Sequence, residues 1–240
     1  MKIALLGYGK MGKEIEEIAV KKNHQIVLKI DINNTQDLTK ENLSKADVAI
    51  EFSIPEVAYK NILKCFEANV PVVSGTTGWL AQFEEVKKKC LLQNQAMLYS
   101  SNFSIGVNIF FQLNKKLAKL MNDFKGYDVS IEEIHHIQKL DAPSGTAITL
   151  ANDILSVSEK KKNWVSNAES KNSELLIKSV REGAVIGTHI ITYKSEVDKI
   201  EIKHEAFNRK GLAIGAVMSA EWLIGKKGIF GINDMLDIKL

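Results

Sequence analysis

The sequence has little cysteine. Cys65 and Cys90 are the two cysteines in a chain of 240 residues. They are far apart, lie in segments with helical spacing, and form neither a CxxC motif nor a spacing typical of metal ligands. We therefore predict reduced, buried thiols. This pattern suits a reducing compartment, and we expect a cytoplasmic protein.

Long apolar runs and an excess of one charge are also lacking. No stretch approaches the roughly 18 apolar residues of a membrane span, and Met1–Gly7 is too short in apolar length for a signal peptide. We expect no membrane partner. The formal net charge is +3 with scattered lysines, so we expect no nucleic-acid partner. The 45% hydrophobic and 25% charged content is ordinary for a globular chain with one large or two modest domains.

The first hundred residues alternate between short apolar runs and helical patterns. Lys2–Leu6 is typical of a strand buried on both faces, and a glycine turn follows it. Further strands are predicted at Gln25–Ile30, Asp47–Phe52, Pro71–Val73 and Ala96–Ser100. Helices are predicted at about 10–22, Val57–Ala68 and Trp79–Leu91. This order predicts an α/β fold with a Rossmann-type, doubly wound parallel sheet.

The pattern changes after Gly106. Helices are predicted at Val107–Met121 and about 144–157, a strand at Val129–Ile134, and an exposed connection at Ser156–Ser173. Strands then follow one another without helices, at Leu175–Arg181, Gly187–Tyr193 and Lys199–Glu205. We predict a smaller α+β domain with a mostly antiparallel or mixed sheet. An apolar helix, about 209–224, is expected to return to the first domain, giving domains of residues 1–103 with 210–240, and 104–209.

A glycine-rich turn, Gly7-Tyr8-Gly9-Lys10-Met11-Gly12, lies between the first strand and the first helix. Gly7 permits the tight turn, Gly9 lets the backbone approach a pyrophosphate, and Gly12 lets the helix pack on the strand. The helix N-terminus favours the anion. The sequence therefore predicts a dinucleotide cofactor in the first domain, with Lys10 and Met11 also at the site.

Asp31 stands at the end of the second strand, 19 residues after Gly12. It is in the expected place to bond a ribose 2′-hydroxyl and to repel the 2′-phosphate of NADP. Because Ile32, Asn33 and Asn34 supply no cation, we predict NADH as the preferred cofactor. NADPH stays open, since Lys10 and Lys13 could reach a 2′-phosphate.

Two further loops are predicted at the carboxyl ends of strands, where open α/β sheets bind ligands. They are residues 51–56 and residues 74–78. The second offers small residues and backbone N–H groups to a planar ring, although a Gly-Thr-Thr-Gly run is equally typical of an ordinary strand-to-helix turn.

The segment Glu132–Ala147 carries the densest set of reactive side chains. His135 and His136 lie at a predicted strand end, and Lys139 follows. Ser144-Gly145-Thr146 then opens a helix and offers hydroxyls and free N–H groups. The segment predicts a site for a carboxylate or phosphate beside a group that can transfer a proton.

The other histidines are less informative. The His-His pair lacks a cysteine or third histidine at ligand spacing, so we predict no metal. His24 is given no role. His189 and His204 lie on later strands, where they either line the cleft or pack.

Residues 133–147 resemble the signature of the 4-hydroxy-tetrahydrodipicolinate reductases, also called dihydrodipicolinate reductases. Similar blocks occur in family order at residues 7–12, 51–56, 75–78, 101–108, 181–183, 187–189 and 204–216. The resemblance covers essentially the whole chain. It implies NAD(P)H-dependent reduction of a cyclic hydroxy-imine to tetrahydrodipicolinate in the diaminopimelate route to lysine, by a homotetramer assembled through the second domain.

The resemblance also implies residue roles. His135 donates or steers a proton, and Lys139 pairs with a substrate carboxylate. His136, with Ser144, Gly145 and Thr146, holds the dicarboxylate. The implied cofactor contacts beyond the glycine turn and Asp31 are Phe52, Ser53, Gly75, Thr77, Ser101, Asn102 and Phe103.

The chain departs from the family at two positions. Many members have a basic residue where this chain has Ile32 or Ile54, which favours NADH. Two other classes compete. One is another two-domain nicotinamide enzyme, such as an amino-acid dehydrogenase or an acylating semialdehyde dehydrogenase that needs a nucleophilic cysteine. The other is a non-catalytic redox sensor, which needs neither His135 nor Lys139.

Overall fold

A computed structural model describes residues 1–167 and 169–237. These residues form two compact units: residues 1–105 with the segment from Lys210, here unit 1, and Gly106–Arg209, here unit 2. Residues 238–240 of the first predicted domain lie outside the described residues.

Unit 1 contains a six-stranded parallel sheet. Its strands are β1 (Lys2–Leu6), β2 (Gln25–Ile30), β3 (Val48–Glu51), β4 (Val72–Ser74), β5 (Ala96–Tyr99) and β11 (Gly228–Gly231). The spatial order is β11-β5-β4-β3-β1-β2. The order reverses at β1, between β2 and β3, and ligands of open α/β sheets bind at the carboxyl ends of strands beside such a point.

Helices cover both faces of this sheet. They are α1 (Lys10–Lys21), α2 (Lys40–Leu43), α3 (Pro55–Glu67), α4 (Phe83–Leu92), α7 (Lys210–Leu223) and α8 (Ile232–Leu236). Along β1, Ala4 and Leu6 join one apolar core while Ile3 and Leu5 join the other. The alternation explains why β1 is apolar without interruption, since both of its faces are buried. The doubly wound parallel sheet is confirmed.

The helix predicted at about 209–224 packs in unit 1 as α7. Its small side chains Ala213, Ala216 and Ala220 are buried with Leu5. A Cβ atom on Gly215 would lie 1.7 Å from the carbonyl oxygen of Phe103. Helix α7 therefore lies so close to the backbone at Phe103 that only glycine fits at position 215.

Unit 2 contains a five-stranded mixed sheet in the order β10-β9-β6-β8-β7. Its strands are β6 (Asp128–His135), β7 (Asn163–Ser166), β8 (Glu174–Arg181), β9 (Gly187–Lys194) and β10 (Lys199–Ala206). Strands β6, β8 and β7 pair in parallel, whereas β9 pairs antiparallel with β6 and β10. Of the two predicted alternatives, the sheet is mixed.

One face of this sheet carries the core of unit 2. Helices α5 (Ile105–Met121) and α6 (Gly145–Leu155) pack on it through Phe110 and Leu150. Along β6 burial alternates with a period of two, so that Val129, Ile131, Glu133 and His135 all point to the buried side. The reactive end of β6 is thus continuous with an apolar core.

Several details of the fold differ from the prediction, including helices α2 and α8, which were not predicted. The exposed connection at 156–173 contains strand β7, and Lys161 within it is 2% exposed, because its ammonium group bonds Asp128 at 2.9 Å and the carbonyl of Glu174 at 2.7 Å. Strand β11, which completes the first sheet, was not predicted; it has four residues, two of them glycine. No helix of the described residues has the length and apolarity needed to cross a bilayer.

We expect Gly215→Ala to destabilise unit 1 by at least 1–3 kcal/mol, the usual cost of overpacking, because the added methyl group meets backbone that cannot rotate away. Gly211→Ala on the same helix is the matched control. Its Cβ would make an ordinary contact at 3.5 Å with Ser104, and alanine favours helix by about 0.5–1 kcal/mol. Urea denaturation measures both, and equal stability of the two variants would contradict the packing argument.

Candidate active site

The glycine turn of unit 1 forms an open helix N-terminus. Gly7 has φ of +97°, and a Cβ there would lie 2.0 Å from the carbonyl oxygen of Phe52. A Cβ on Gly12 would lie 2.3 Å from the oxygen of Gly7, whereas one on Gly9 would meet nothing within 4 Å. No side chain caps the start of α1, where Lys10 and Met11 follow Gly9. The turn is therefore tight on the protein side and open towards an anion.

Asp31 leaves the strand next to this turn. The backbone N–H of Gly7 donates to the carbonyl of Ile30 at 2.9 Å, so the glycine turn and Asp31 follow adjacent strand ends. One oxygen of Asp31 accepts a hydrogen bond from the N–H of Asn33 at 2.7 Å. Ile32 beside it is 88% exposed. The carboxylate is held in place and is free to accept a further hydroxyl group.

A buried carboxylate, Glu51, ties the two neighbouring loops together. It accepts hydrogen bonds from the N–H of Ser53 at 3.1 Å and from the hydroxyls of Ser74 and Thr76, both at 2.9 Å. Burial raises the pKa of Glu51 above its ordinary value, although these hydrogen bonds oppose the rise. Sequence reasoning missed this role, for which the signal was an acid ending an otherwise apolar strand.

The Phe52 ring packs between the loops that end β3 and β4. A Cβ on Gly75 would lie 2.2 Å from this ring, so any larger residue at position 75 would displace the ring. Phe103, which is buried, supports Phe52 with ring centroids 5.5 Å apart. The other predicted cofactor residues of this edge, beyond β3, β4 and β5, are Ser53, Thr77, Ser101 and Asn102.

Glu133 and His135 form the buried centre of the second site. Nδ1 of His135 lies 3.3 Å from Oε2 of Glu133, and the other oxygen, Oε1, accepts the N–H of Ser144 at 3.0 Å. Burial alone would raise the pKa of the Glu133 carboxyl, but hydrogen bonds from His135 and Ser144 outweigh it and hold that pKa well below its ordinary range. The carboxylate is therefore ionised at neutral pH.

Arg181 fastens the loop after His136. Its guanidinium donates to the carbonyl oxygens of Lys139 at 3.2 Å and Asp141 at 2.6 Å, and it lies 3.3 Å from Oε1 of Glu133. The Lys139 ammonium bonds both oxygens of Asp141, at 2.7 and 2.8 Å. An incoming carboxylate must therefore compete with Asp141 for Lys139, which the sequence did not indicate.

Ser144 caps α6 and leaves two N–H groups at its start. The Ser144 hydroxyl accepts from the N–H of Ala147 at 3.2 Å. The first N–H groups of a helix have no acceptor within it, so those of Gly145 and Thr146 remain for an anion. A Cβ on Gly145 would meet nothing within 4 Å. The structure thus brings His135, the half-buried His136, Lys139 and the start of α6 onto one edge of unit 2.

His189 completes this cluster, whereas sequence reasoning left it undecided. It lies opposite Glu133 on β9, and its Nε2 is 3.2 Å from the Ser144 hydroxyl. Burial and the neighbouring His135 lower the pKa of His189 to about 4, so the ring is neutral at pH 7. His204 is its neighbour on β10 and packs against Phe110, with ring centroids 5.8 Å apart. His24 pairs with Glu221 in unit 1.

One group of described residues could hold a metal ion: Glu133, His135 and His189. Each offers one possible ligand atom, and these atoms lie within 4.8 Å of one another. Spacing along the sequence did not reveal this group, because His189 comes from a distant strand. Oε1 of Glu133 is already engaged by Ser144 and Arg181. The remaining contacts suit a carboxylate that orients an imidazole, and the absence of a metal stays a prediction.

Both cysteines are buried and free. Burial raises the pKa of the Cys65 thiol, and burial raises that of Cys90 to about 11. A nucleophilic cysteine must ionise near neutral pH, so neither residue suits acylating chemistry.

A glycine turn on a parallel sheet, together with a histidine, a lysine and an open helix start on a second unit, defines the class of Rossmann-type oxidoreductases. Two family models match the chain: "Dihydrodipicolinate reductase, N-terminus" at residues 1–103 and "Dihydrodipicolinate reductase, C-terminus" at residues 106–236. The chain belongs to the dihydrodipicolinate reductase family.

Relatives of this family are similar over the whole chain. The 4-hydroxy-tetrahydrodipicolinate reductase of Christiangramia forsetii is 51% identical over 98% of both chains. That of Archaeoglobus fulgidus is 34% identical over 99% of this chain and 100% of the relative. Among solved structures, dipicolinate-bound dihydrodipicolinate reductase from Paenisporosarcina sp. TG-14 matches with a TM-score of 0.78 and 27% identity, over 96% of this chain and 97% of the other.

We expect the free energy of unfolding of unit 2 to decrease when the pH is lowered from 7 to 5. The decrease should be about 2 kcal/mol larger in the wild type than in His189→Gln. The ordinary histidine pKa of 6.5 is lowered to about 4 in the folded chain. The unfolded chain therefore binds more protons in this window, and stability is lost as the pH falls through 6.5 towards 4. Urea denaturation at both pH values measures the difference. Parallel losses in the two proteins would contradict it.

Proposed function

We propose that the chain catalyses the reduction of 4-hydroxy-tetrahydrodipicolinate to tetrahydrodipicolinate, with loss of water, in the diaminopimelate route to lysine. The observation that carries this proposal is the set of His135, Lys139 and the open start of α6 on one edge of unit 2, in a chain 51% identical to a reductase of that name. A two-carboxylate ring needs a cation, an anion-binding helix start and a proton donor, and this edge offers all three.

Unit 1 fits a nicotinamide dinucleotide. The open N-terminus of α1, from Gly9 through Lys10 and Met11, would hold the pyrophosphate, and Asp31 would accept the adenosine ribose hydroxyl. The strand ends beside Phe52 would hold the nicotinamide, through Ser53, Gly75, Thr77, Ser101, Asn102 and Phe103. When bound, the reduced nicotinamide supplies the hydride.

Unit 2 would bind and protonate the substrate. Lys139 exchanges Asp141 for one substrate carboxylate, while the N–H groups of Gly145 and Thr146 hold the other with help from His136 and Ser144. His135 donates the proton that balances the hydride, and solvent later restores it. These donors stabilise negative charge on the ring as it develops.

The domain roles and the assembly follow from the same proposal. Residues 1–103 and 210–240 bind the dinucleotide, and residues 104–209 bind substrate and form a homotetramer. The sheet face opposite the core of unit 2 supports this assembly, because Ile134, Leu176, Val180 and Ile190 are half-buried there within a single chain. We place the enzyme in the cytoplasm on the reduced state expected for both cysteines.

An amino-acid dehydrogenase is the second candidate, since it shares the fold. It would act on an open-chain substrate and would not depend on a ring supplied by a synthase. The assay below separates the two candidates.

We expect rapid NADH oxidation when dihydrodipicolinate synthase generates the substrate in place from pyruvate and aspartate semialdehyde. Lys139→Ala should lower kcat/KM by about 100-fold or more, since an ion pair to a substrate carboxylate in a desolvated site is lost. NADH binding, followed by fluorescence, should stay unchanged.

Lys87→Ala is the control for this variant, because Lys87 makes an exposed ion pair with Glu84 at 3.9 Å on helix α4 of unit 1. It should retain wild-type activity. Absence of turnover with either cofactor, in protein that binds one of them, would contradict the proposed function. Full activity of K139A would contradict the substrate site.

We expect tighter binding of NADH than of NADPH, because Asp31 repels a 2′-phosphate and Ile32 offers no cation. Asp31→Asn should narrow the difference by about tenfold, equivalent to ~1.4 kcal/mol. Fluorescence titration of each cofactor gives the dissociation constants. Equal or reversed constants in the wild type would show that the preference was assigned wrongly.

A further inference from the structure

We propose that Glu133 positions His135: its buried carboxylate fixes the hydrogen of the neutral imidazole on Nδ1, and this leaves Nε2 as the proton-transferring atom. The direction of the transfer rests on the proposed function. The orientation of the ring does not, and it can be measured without turnover.

The strand geometry places the two side chains together. Glu133 and His135 are two residues apart on β6, so they share its buried face. Glu133 has no exposed surface and His135 is 7% exposed. Nδ1 lies 3.3 Å from Oε2, and both atoms are buried with no hydrogen-bond partner that the described residues supply. Each atom is therefore the available partner of the other.

The carboxylate cannot rotate away from the ring. Its other oxygen, Oε1, accepts the N–H of Ser144 at 3.0 Å and lies 3.3 Å from the guanidinium of Arg181. Arg181 in turn bonds the carbonyls of Lys139 and Asp141. One oxygen of Glu133 thus fixes the substrate loop, and the other fixes the imidazole.

The surrounding charges leave this pair intact. Arg181 faces it from β8, His189 faces it from β9 at 3.8 Å from Oε2, and Lys139 with Asp141 faces it from the loop. His189 is neutral at pH 7, so it brings no second charge to Oε2.

The other ring nitrogen of His135, Nε2, lies beside Gly187. A Cβ on Gly187 would lie 3.1 Å from Nε2 of His135, so glycine keeps that nitrogen uncrowded. Nδ1 is directed at Glu133, which leaves Nε2 as the nitrogen that can reach a substrate.

The proton balance follows directly. The protonated imidazole breaks its Nε2–H bond as the proton moves to the substrate, and the electron pair of that bond stays on the nitrogen. The ring is then neutral, with its remaining hydrogen on Nδ1 towards Glu133, and a solvent proton later restores Nε2–H. Glu133 remains ionised throughout, because its pKa is held well below the ordinary range.

The first test is Glu133→Gln, which keeps the size of the side chain and removes its charge. We expect kcat to fall by at least about 10- to 100-fold, the range found when a carboxylate that orients a metal-bound histidine is lost. The KM for NADH should stay within twofold. The matched control is Glu84→Gln, at an exposed position on helix α4 of unit 1, which should match the wild type.

The second test is a 15N spectrum of the histidine rings, with His135 assigned by its loss in His135→Gln. Neutral His135 should carry its hydrogen on Nδ1 in the wild type, and the Nε2–H form should increase in E133Q. An Nε2–H ring in the wild type overturns the proposal, whether or not E133Q folds and whether or not the enzyme turns over.

A double-mutant cycle separates positioning from general support of the loop. If Glu133 acts through His135, E133Q should cause no further loss of kcat in an H135Q background. Wild-type kcat in E133Q, or a loss confined to the KM of the substrate, overturns the proposal. Failure of the wild type to reduce the ring substrate would instead refute the proposed function and leave the tautomer result standing.

Discussion

The arrangement of the second site depends on one constraint: a carboxylate buried without exposed surface must find donors for both of its oxygens. Oε1 of Glu133 finds them in the Ser144 backbone and Arg181, and Oε2 lies 3.3 Å from Nδ1 of His135. These groups come from the start of α6, from β8 and from β6 itself. The contacts of one carboxylate therefore bring the start of α6, the loop with Lys139 and the His135 imidazole to a single edge of unit 2.

Unit 1 uses a second buried carboxylate with the opposite electrostatic outcome. Glu51 is held by hydroxyls and one N–H group, and burial raises its pKa. The contacts of Glu133 with His135 and Ser144 instead outweigh burial, and its pKa is lowered. The same cost of burial is therefore overcome at Glu133 and not at Glu51.

The parts of the fold that were predicted from sequence are those coded by local periodicity. The apolar run of β1, the glycine turn and the amphipathic helix α1 each carry their signal within a few residues, and all three formed as predicted. Strand β7 was missed because it lies in a polar, lysine-rich run. It pairs with β8 through backbone groups, and such pairing does not depend on apolar side chains. Strand β11 was missed because four residues with two glycines carry no periodicity.

The residues of the candidate site also divide into those that local sequence predicts and those that it does not. His135, Lys139 and Ser144 lie within ten residues of one another, so their proximity could be predicted. Glu133 was missed because a charged strand residue is ordinarily assigned to solvent, although its spacing of two from His135 places both on one face. His189 could not be placed, because its position opposite Glu133 depends on the register of β6 and β9, which no local pattern specifies.

The path of the chain through unit 1 sets the order in which the fold can be completed during synthesis. The small residues of α7 fill the core beneath β1, and β11 covers the edge of β5, yet both are made after all of unit 2. A nascent chain that has reached Arg209 can close unit 2, whose residues are contiguous, while the nucleotide-binding sheet still exposes an apolar face. The half of the protein that leaves the ribosome first is thus the last to become native, and it relies on the final segment of the chain for protection from aggregation.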